Sequence, residues 1–78
     1  LSNANLEFSN LNSANLRYAD LAFANLSNAY LSGADLAFAD LSNAYLSGAD
    51  LTGVSWYDTT CPDGTNSDNN GNTCEYNL

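Results

Sequence analysis

The chemistry that this chain of 78 residues could offer lies in three places: two aspartates, Asp20 and Asp40; the polar run "NSDNNG" at 66–71; and two cysteines, Cys61 and Cys74. Two carboxylates held about 5 Å apart can act as acid and nucleophile on a glycoside. The run at 66–71 approaches the calcium-loop core D-x-[DN]-x-[DN]-G with Asn66 in the place of the first Asp. The bidentate Glu that closes such a loop would fall on Asn77, so Asp68 is the only carboxylate in register and any affinity should be weak. The cysteines stand in a tail rich in Pro, Gly, Asn and Asp with no His and no further Cys, which favours a disulfide over a thiolate metal site and points to an oxidising compartment. No G-x-S-x-G or phosphate loop occurs, and with no His or Lys neither nucleophilic nor phosphoryl-transfer chemistry has candidates. We therefore expect no catalytic residue, no metal and no cofactor.

Charge narrows the partners. Arg17 is the single basic residue against nine acidic ones, a formal net charge of −8. Phosphate backbones and anionic lipids are held by Lys and Arg, so neither nucleic acid nor a lipid surface is an expected partner. No apolar run approaches the roughly 20 residues of a membrane-spanning helix. The acidic surface suits solubility or a basic protein partner.

The elements that must position these residues follow from a five-residue rhythm. Leu stands at 1, 6, 11, 16, 21, 26, 31, 36, 41, 46 and 51, with Trp56 and Cys61 on the same count. A small residue, usually Ala, stands two places before each, and Asn or Asp usually lies between. On an α-helix a step of five advances about 140° past a full turn, so the leucines would spiral over every face. On a flat strand they would alternate between sides. A corner every five residues removes the conflict: small residue and Leu share the inner face, and Ser, Asn, Asp, Gly and aromatic residues turn outward. Four corners close a coil of about twenty residues, whose units gain a core only by stacking.

The stretch "ANLSNAYLSGADLAFADL" resembles the pentapeptide-repeat family, A(D/N)Lxx, over about 1–55. The resemblance implies a right-handed quadrilateral parallel β-helix. The fold class is then all-β, about three coils over 1–55, with an irregular disulfide-stapled C-terminal cap over 56–78. Ser9, at a small-residue position, and Tyr30 and Tyr45, at the Asn/Asp position, depart from the pattern. The tail also resembles those that follow such repeats in some cyanobacterial proteins.

Stacking places residue n over residue n−20. Trp56 replaces Leu in the last coil, where its ring can lid the core, with the Cys61–Cys74 staple above it. Asp20 and Asp40 stack on an open wall with no cleft to desolvate them, so a solvated charge column is the better reading than a glycosidase pair. The fifteen residues "LAFANLSNAYLSGAD" at 21–35 recur at 36–50 with only Asn25 changed to Asp40. Fifteen is three sides of a four-sided coil, so Phe8, Phe23 and Phe38 climb diagonally, as do Tyr30 and Tyr45, while Tyr18 and Phe38 share a column. These outward rings either shield corner backbone or mark a contact surface, for which Tyr18, Phe38, Tyr30, Tyr45, Asp20 and Asp40 are the candidates.

The reading expected from these residues is a non-catalytic, exported structural or protein-interaction module, in an extracellular, periplasmic or thylakoid-lumen setting. Leu1 opens in mid-pattern and the chain has no Met, as a processed chain or fragment would. The uncovered first coil is an expected route to self-association, up to an end-to-end fibre. The resemblance adds a DNA-mimic inhibitor or protector of type II topoisomerase as an alternative, and the 66–71 run adds weak calcium-dependent adhesion.

Overall fold

A computed structural model describes all of residues 1–78. Its only helical element is a 3-10 turn over Ser67–Asn69. In the coils the β structure consists of eight isolated parallel bridges, and each joins residues twenty apart. Four columns result: Asn5–Asn25–Tyr45, Asn10–Tyr30–Asp50, Asn15–Asp35–Ser55 and Asp20–Asp40–Thr60. Continuous strands are absent for a steric reason. The chain turns every fifth residue, so each side of the coil is long enough to place one residue in a bridge.

Every corner from Leu1 to Val54 is built alike. The Leu carbonyl accepts from the amide three residues on, as from Ala24 to Leu21 at 3.0 Å and from Ala34 to Leu31 at 3.0 Å. The third residue of each turn has positive φ, for example 71° at Gly33, 60° at Asn28 and 61° at Phe23. A single positive φ at that place defines a type II turn, which Gly and Asn enter at least cost. The residue before Leu has a task of its own. Asn25 Oδ1 accepts from the Ser27 amide at 3.1 Å, Asp35 Oδ1 from Ala37 at 3.0 Å and Asp50 Oδ1 from Thr52 at 3.0 Å. These Asx brackets pre-bend the chain into the corner. They give the Asn/Asp preference a physical cause, and Tyr30 and Tyr45 occupy corners that do without one.

Between coils, each side carries three backbone hydrogen bonds. Asp35 donates down to Ala14 O at 2.9 Å, while Leu16 and Tyr18 donate up to Asp35 O and Ala37 O at 2.8 and 3.0 Å. Inside the coils, Leu21, Leu26, Leu31, Leu36 and Leu41 are buried, with Ala24, Ala29, Ala34 and Ala39 filling the corners between them. Burying one Leu stabilises by about 1.5–3 kcal/mol, so this column carries the fold. Burial falls away toward the first coil, where Leu6, Leu11 and Leu16 are half-covered and Leu1 is 62 % exposed.

The bridged register continues past residue 55: Asp35 pairs with Ser55, Asp40 with Thr60, and the Asn43 amide donates to Pro62 O at 2.9 Å. The chain then reverses through Cys61–Gly64, and Asn66 returns antiparallel beside Thr60. Thr59 ties this hairpin to the coils. It is fully buried, donates its hydroxyl to Leu36 O at 2.8 Å and its amide to Ser67 Oγ at 3.1 Å, and accepts from the Ser67 amide at 2.8 Å. The disulfide joins Cys61 and Cys74, Cα atoms 5.3 Å apart and both side chains buried.

Candidate functional site

One corner of the coil is unlike the others. Tyr18 and Phe38 occupy the positive-φ position of their turns, each at 63°, one coil apart in the same column. Left-handed backbone costs a residue with a Cβ about 1–2 kcal/mol, and bulky side chains avoid it. The two rings stack with centroids 4.8 Å apart and planes 5° from parallel. The spacing is that of neighbouring strands, so backbone pairing itself sets the rings at stacking distance. Tyr57 adds an edge-on ring 5.4 Å from Phe38 at 67°. Arg17 lies over both lower rings, its guanidinium carbon 5.9 Å from the Tyr18 centroid and 5.4 Å from that of Phe38. Its Nη1 reaches Asp35 Oδ2 at 3.3 Å. The chain's single cation is thus held between a carboxylate and an aromatic face, while Tyr18 and Tyr57 remain 71 % and 62 % exposed.

The sequence candidates separate on this frame. Tyr18 and Phe38 come together as the column arithmetic requires. Arg17 and Tyr57 were not among the candidates. Residue 58 is the vertical neighbour of 38, so Tyr57 is one place out of register and its ring reaches the stack from the side. The proximity of an opposite charge one coil up, at Asp35, was the available signal for Arg17. Tyr30 and Tyr45 project from bridged positions elsewhere on the wall, 51 % and 61 % exposed, with no ring partner. Tyr45 lines a shallow hollow of about 250 Å³ with Leu46 and Leu78.

Asp20 and Asp40 are bridged vertical neighbours, as expected, but their oxygens serve the corners. Asp20 Oδ1 accepts from the Ala22 amide at 3.2 Å, and Asp40 Oδ1 from the Ser42 amide at 2.9 Å and the Ser42 hydroxyl. Thr60 ends that column, so it is two carboxylates deep. Trp56 is half-buried against the core cluster. In the 66–71 run the oxygens turn to the chain's own amides: Asn66 Oδ1 caps Asp68 N at 2.8 Å and Asp68 Oδ1 accepts from Asp58 N at 2.9 Å. That arrangement builds a hairpin instead of an inward ring of ligands. Nearby, the Thr65 hydroxyl and amide, with Asn77 Nδ2, hold the Asp63 carboxyl below its ordinary value of 3.8.

A model of pentapeptide repeats matches residues 1–36 and 14–53, in eight copies. The chain belongs to the pentapeptide-repeat family. Among solved structures it is similar to HetL of the cyanobacterium Nostoc, a pentapeptide-repeat protein involved in heterocyst differentiation regulation. The two are 30 % identical with a TM-score of 0.51, over 85 % of this chain and 40 % of HetL. The chain thus spans less than half the length of that relative. No curated protein matches it. Membership and this likeness make the coil of this pentapeptide-repeat protein a right-handed β-helix.

Proposed function

We propose that this chain is a non-catalytic protein-interaction module, built as three four-sided coils under a stapled cap, and that the Arg17–Tyr18–Phe38–Tyr57 corner is its docking face. The observation that carries the reading is the stack itself. Aromatic rings hold the strained turn position at Tyr18 and Phe38, as they do at Phe8 and Phe23, but here alone two of them stack one coil apart, with Tyr18 largely in solvent. An exposed aromatic stack that also holds the chain's single Arg is the kind of surface that marks a contact site. Tyr and Arg are also the side chains that most often anchor protein interfaces. The family and the likeness to HetL, itself tied by name to regulation, support an interaction role over an enzymatic one.

The disulfide supports an exported setting. The short acidic column ending at Thr60 favours this reading over mimicry of DNA.

The test is a paired substitution, Tyr18→Asn with Phe38→Asn. Asn takes the same turn position at Asn28 and Asn43, so the corner can still form. With a photo-cross-linker at position 57, the wild type should give a discrete protein adduct that the double variant loses at unchanged secondary structure. An adduct of equal yield in the double variant refutes the docking face.

A further inference from the structure

The negative charge of the chain is unevenly placed. Eight corners are bracketed by an Asn or Asp oxygen that takes the amide two residues on. Either residue type makes that bond: Asn25 accepts from Ser27 at 3.1 Å as Asp35 does from Ala37 at 3.0 Å. The bracket therefore needs an oxygen and not a charge. On the two bridge columns that border the aromatic corner, Asp20, Asp35 and Asp40 are acidic and only Asn15 is neutral. On the two columns away from it the ratio inverts, with Asp50 acidic and Asn5, Asn10 and Asn25 neutral. The doubled segment carries the same bias. Its one differing position sets Asp40 two residues after the stacked Phe38, and Asn25 two residues after Phe23, which has no ring neighbour.

Asp58 follows Tyr18 and Phe38 at the positive-φ place of their column. Its amide donates to Asp68 Oδ1 at 2.9 Å, and its own Oδ1 accepts from Asn66 Nδ2 at 2.6 Å. Asp20, Asp35, Asp40, Asp58 and Asp68 thus put five of the chain's nine acidic residues around the rings, where the single cation, Arg17, is already paired with Asp35. In Asp20, Asp40, Asp58 and Asp68 one oxygen is spent on the chain, which orients the carboxylate, and the other has no partner. Arg17 shows what such a surface holds: its guanidinium carbon lies 5.4 Å from the Phe38 centroid while Nη1 meets Asp35 Oδ2 at 3.3 Å. An acidic segment would be repelled here, and an uncharged one would cover oxygens for which it brings no charged donor.

We infer that the aromatic corner takes a basic segment of a partner protein, whose Arg side chains lie on the exposed rings and reach the carboxylates at the rim. The inference rests on the docking-face reading and adds the chemical class of what docks.

Amide NMR titration with a short peptide of alternating Arg and Tyr, and with its Gln/Tyr and Glu/Tyr counterparts, tests it. The Arg/Tyr peptide should shift the amides of Arg17, Tyr18, Phe38 and Tyr57, and the Glu/Tyr peptide should leave them in place. Asp20→Asn with Asp40→Asn keeps both brackets, as Asn25 does, and removes only charge. That pair should weaken the Arg/Tyr peptide about fivefold. Glu7→Gln with Asp50→Asn removes the same charge away from the corner and should weaken it by less than about twofold. Tyr18→Asn with Phe38→Asn should weaken it about tenfold at unchanged secondary structure. Equal weakening by the two charge pairs means diffuse attraction to an acidic body and overturns the inference. A Gln/Tyr or Glu/Tyr peptide that binds as tightly as the Arg/Tyr one overturns it too, as does an Arg/Tyr peptide that leaves the four amides unmoved. The docking face survives those results wherever the ring variant still loses its cross-linked adduct. It falls, and the inference with it, if the ring variant keeps both adduct and peptide.

Discussion

Phe23 and Phe38 hold the same place in two copies of one fifteen-residue segment, with φ of 61° and 63°, yet only Phe38 has ring neighbours. Replacing each by Asn separates the backbone from the stack. At 23 the change relieves up to about 1–2 kcal/mol of left-handed strain. It gives up the remaining cover of a ring already 54 % exposed, between Asn3 and Asn43 in its column. The two effects nearly offset, and Phe23→Asn should leave stability within about 0.5 kcal/mol, as surface substitutions do. At 38 the relief is the same, but contacts with Tyr18 and Tyr57 go, each worth about 0.5–1.5 kcal/mol beyond area burial. The Arg17 contact, about 0.5–1 kcal/mol at an exposed site, goes with them. Phe38→Asn should therefore be less stable than Phe23→Asn by about 2 kcal/mol, the sum of those losses discounted for exposure. Urea unfolding of the oxidised chains, compared at unchanged m, measures it. A double-mutant cycle with Tyr18→Asn should return a coupling of about 1 kcal/mol. If the variants at 23 and 38 lose equal stability, the stack contributes nothing to the fold.

Core truncations should grade along the coil axis: Leu31→Ala, fully buried, should cost about 2–5 kcal/mol, and Leu6→Ala distinctly less, read as the shift in unfolding midpoint. Thr59→Val removes the hydroxyl that reaches Leu36 O inside the cap and should cost about 1 kcal/mol, with faster amide exchange at Ser67. The Asp63 carboxyl, held low by Thr65 and Asn77, contributes stability that is full above its unfolded value near 3.8 and is lost as pH falls through its lower folded value. Acid titration followed by NMR should thus loosen the Cys61–Gly64 turn below about pH 4, and in Asp63→Asn that step should vanish.

The core was legible because the signal was redundant: each Leu reports the same inner face, and the twenty-residue pairing puts Leu21 beneath Leu41 as the spacing demands. The corner geometry was only half legible. Gly33, Gly48 and Gly53 announce a positive φ, but Phe8, Tyr18, Phe23 and Phe38 share that position and contradict the usual preference. Propensity alone would assign them elsewhere, and the backbone pairing of their amides with the coil above overrides it. The tail was least legible. A boundary at 55 follows from the loss of the Leu rhythm, whereas backbone pairing runs on through Thr60 because Trp56 and Cys61 keep the register without the residue type. Thr59 and Ser67 gave no signal at all: buried hydroxyls in a Thr- and Asn-rich tail look like any turn residue until the hairpin closes on them.

The doubled segment shows why sequence identity does not carry a site in this architecture. Copying fifteen residues adds three corners, which extends the Leu column with no new invention. It also rotates each outward side chain to the next face of a coil that repeats after twenty. Phe23 thereby falls between Asn3 and Asn43, while its copy, Phe38, falls above Tyr18, beside Arg17 and within reach of Tyr57. The property that distinguishes the two phenylalanines is supplied entirely by residues outside the copied segment. A contact surface on such a coil is therefore specified by the n and n+20 neighbours. Inserting or deleting one five-residue unit before Tyr18 would leave the Tyr18–Phe38 pair intact, since both move together. Inserting one between 18 and 38 would separate the rings while preserving the core. The second insertion should abolish partner cross-linking with little loss of thermal stability, and the first should not.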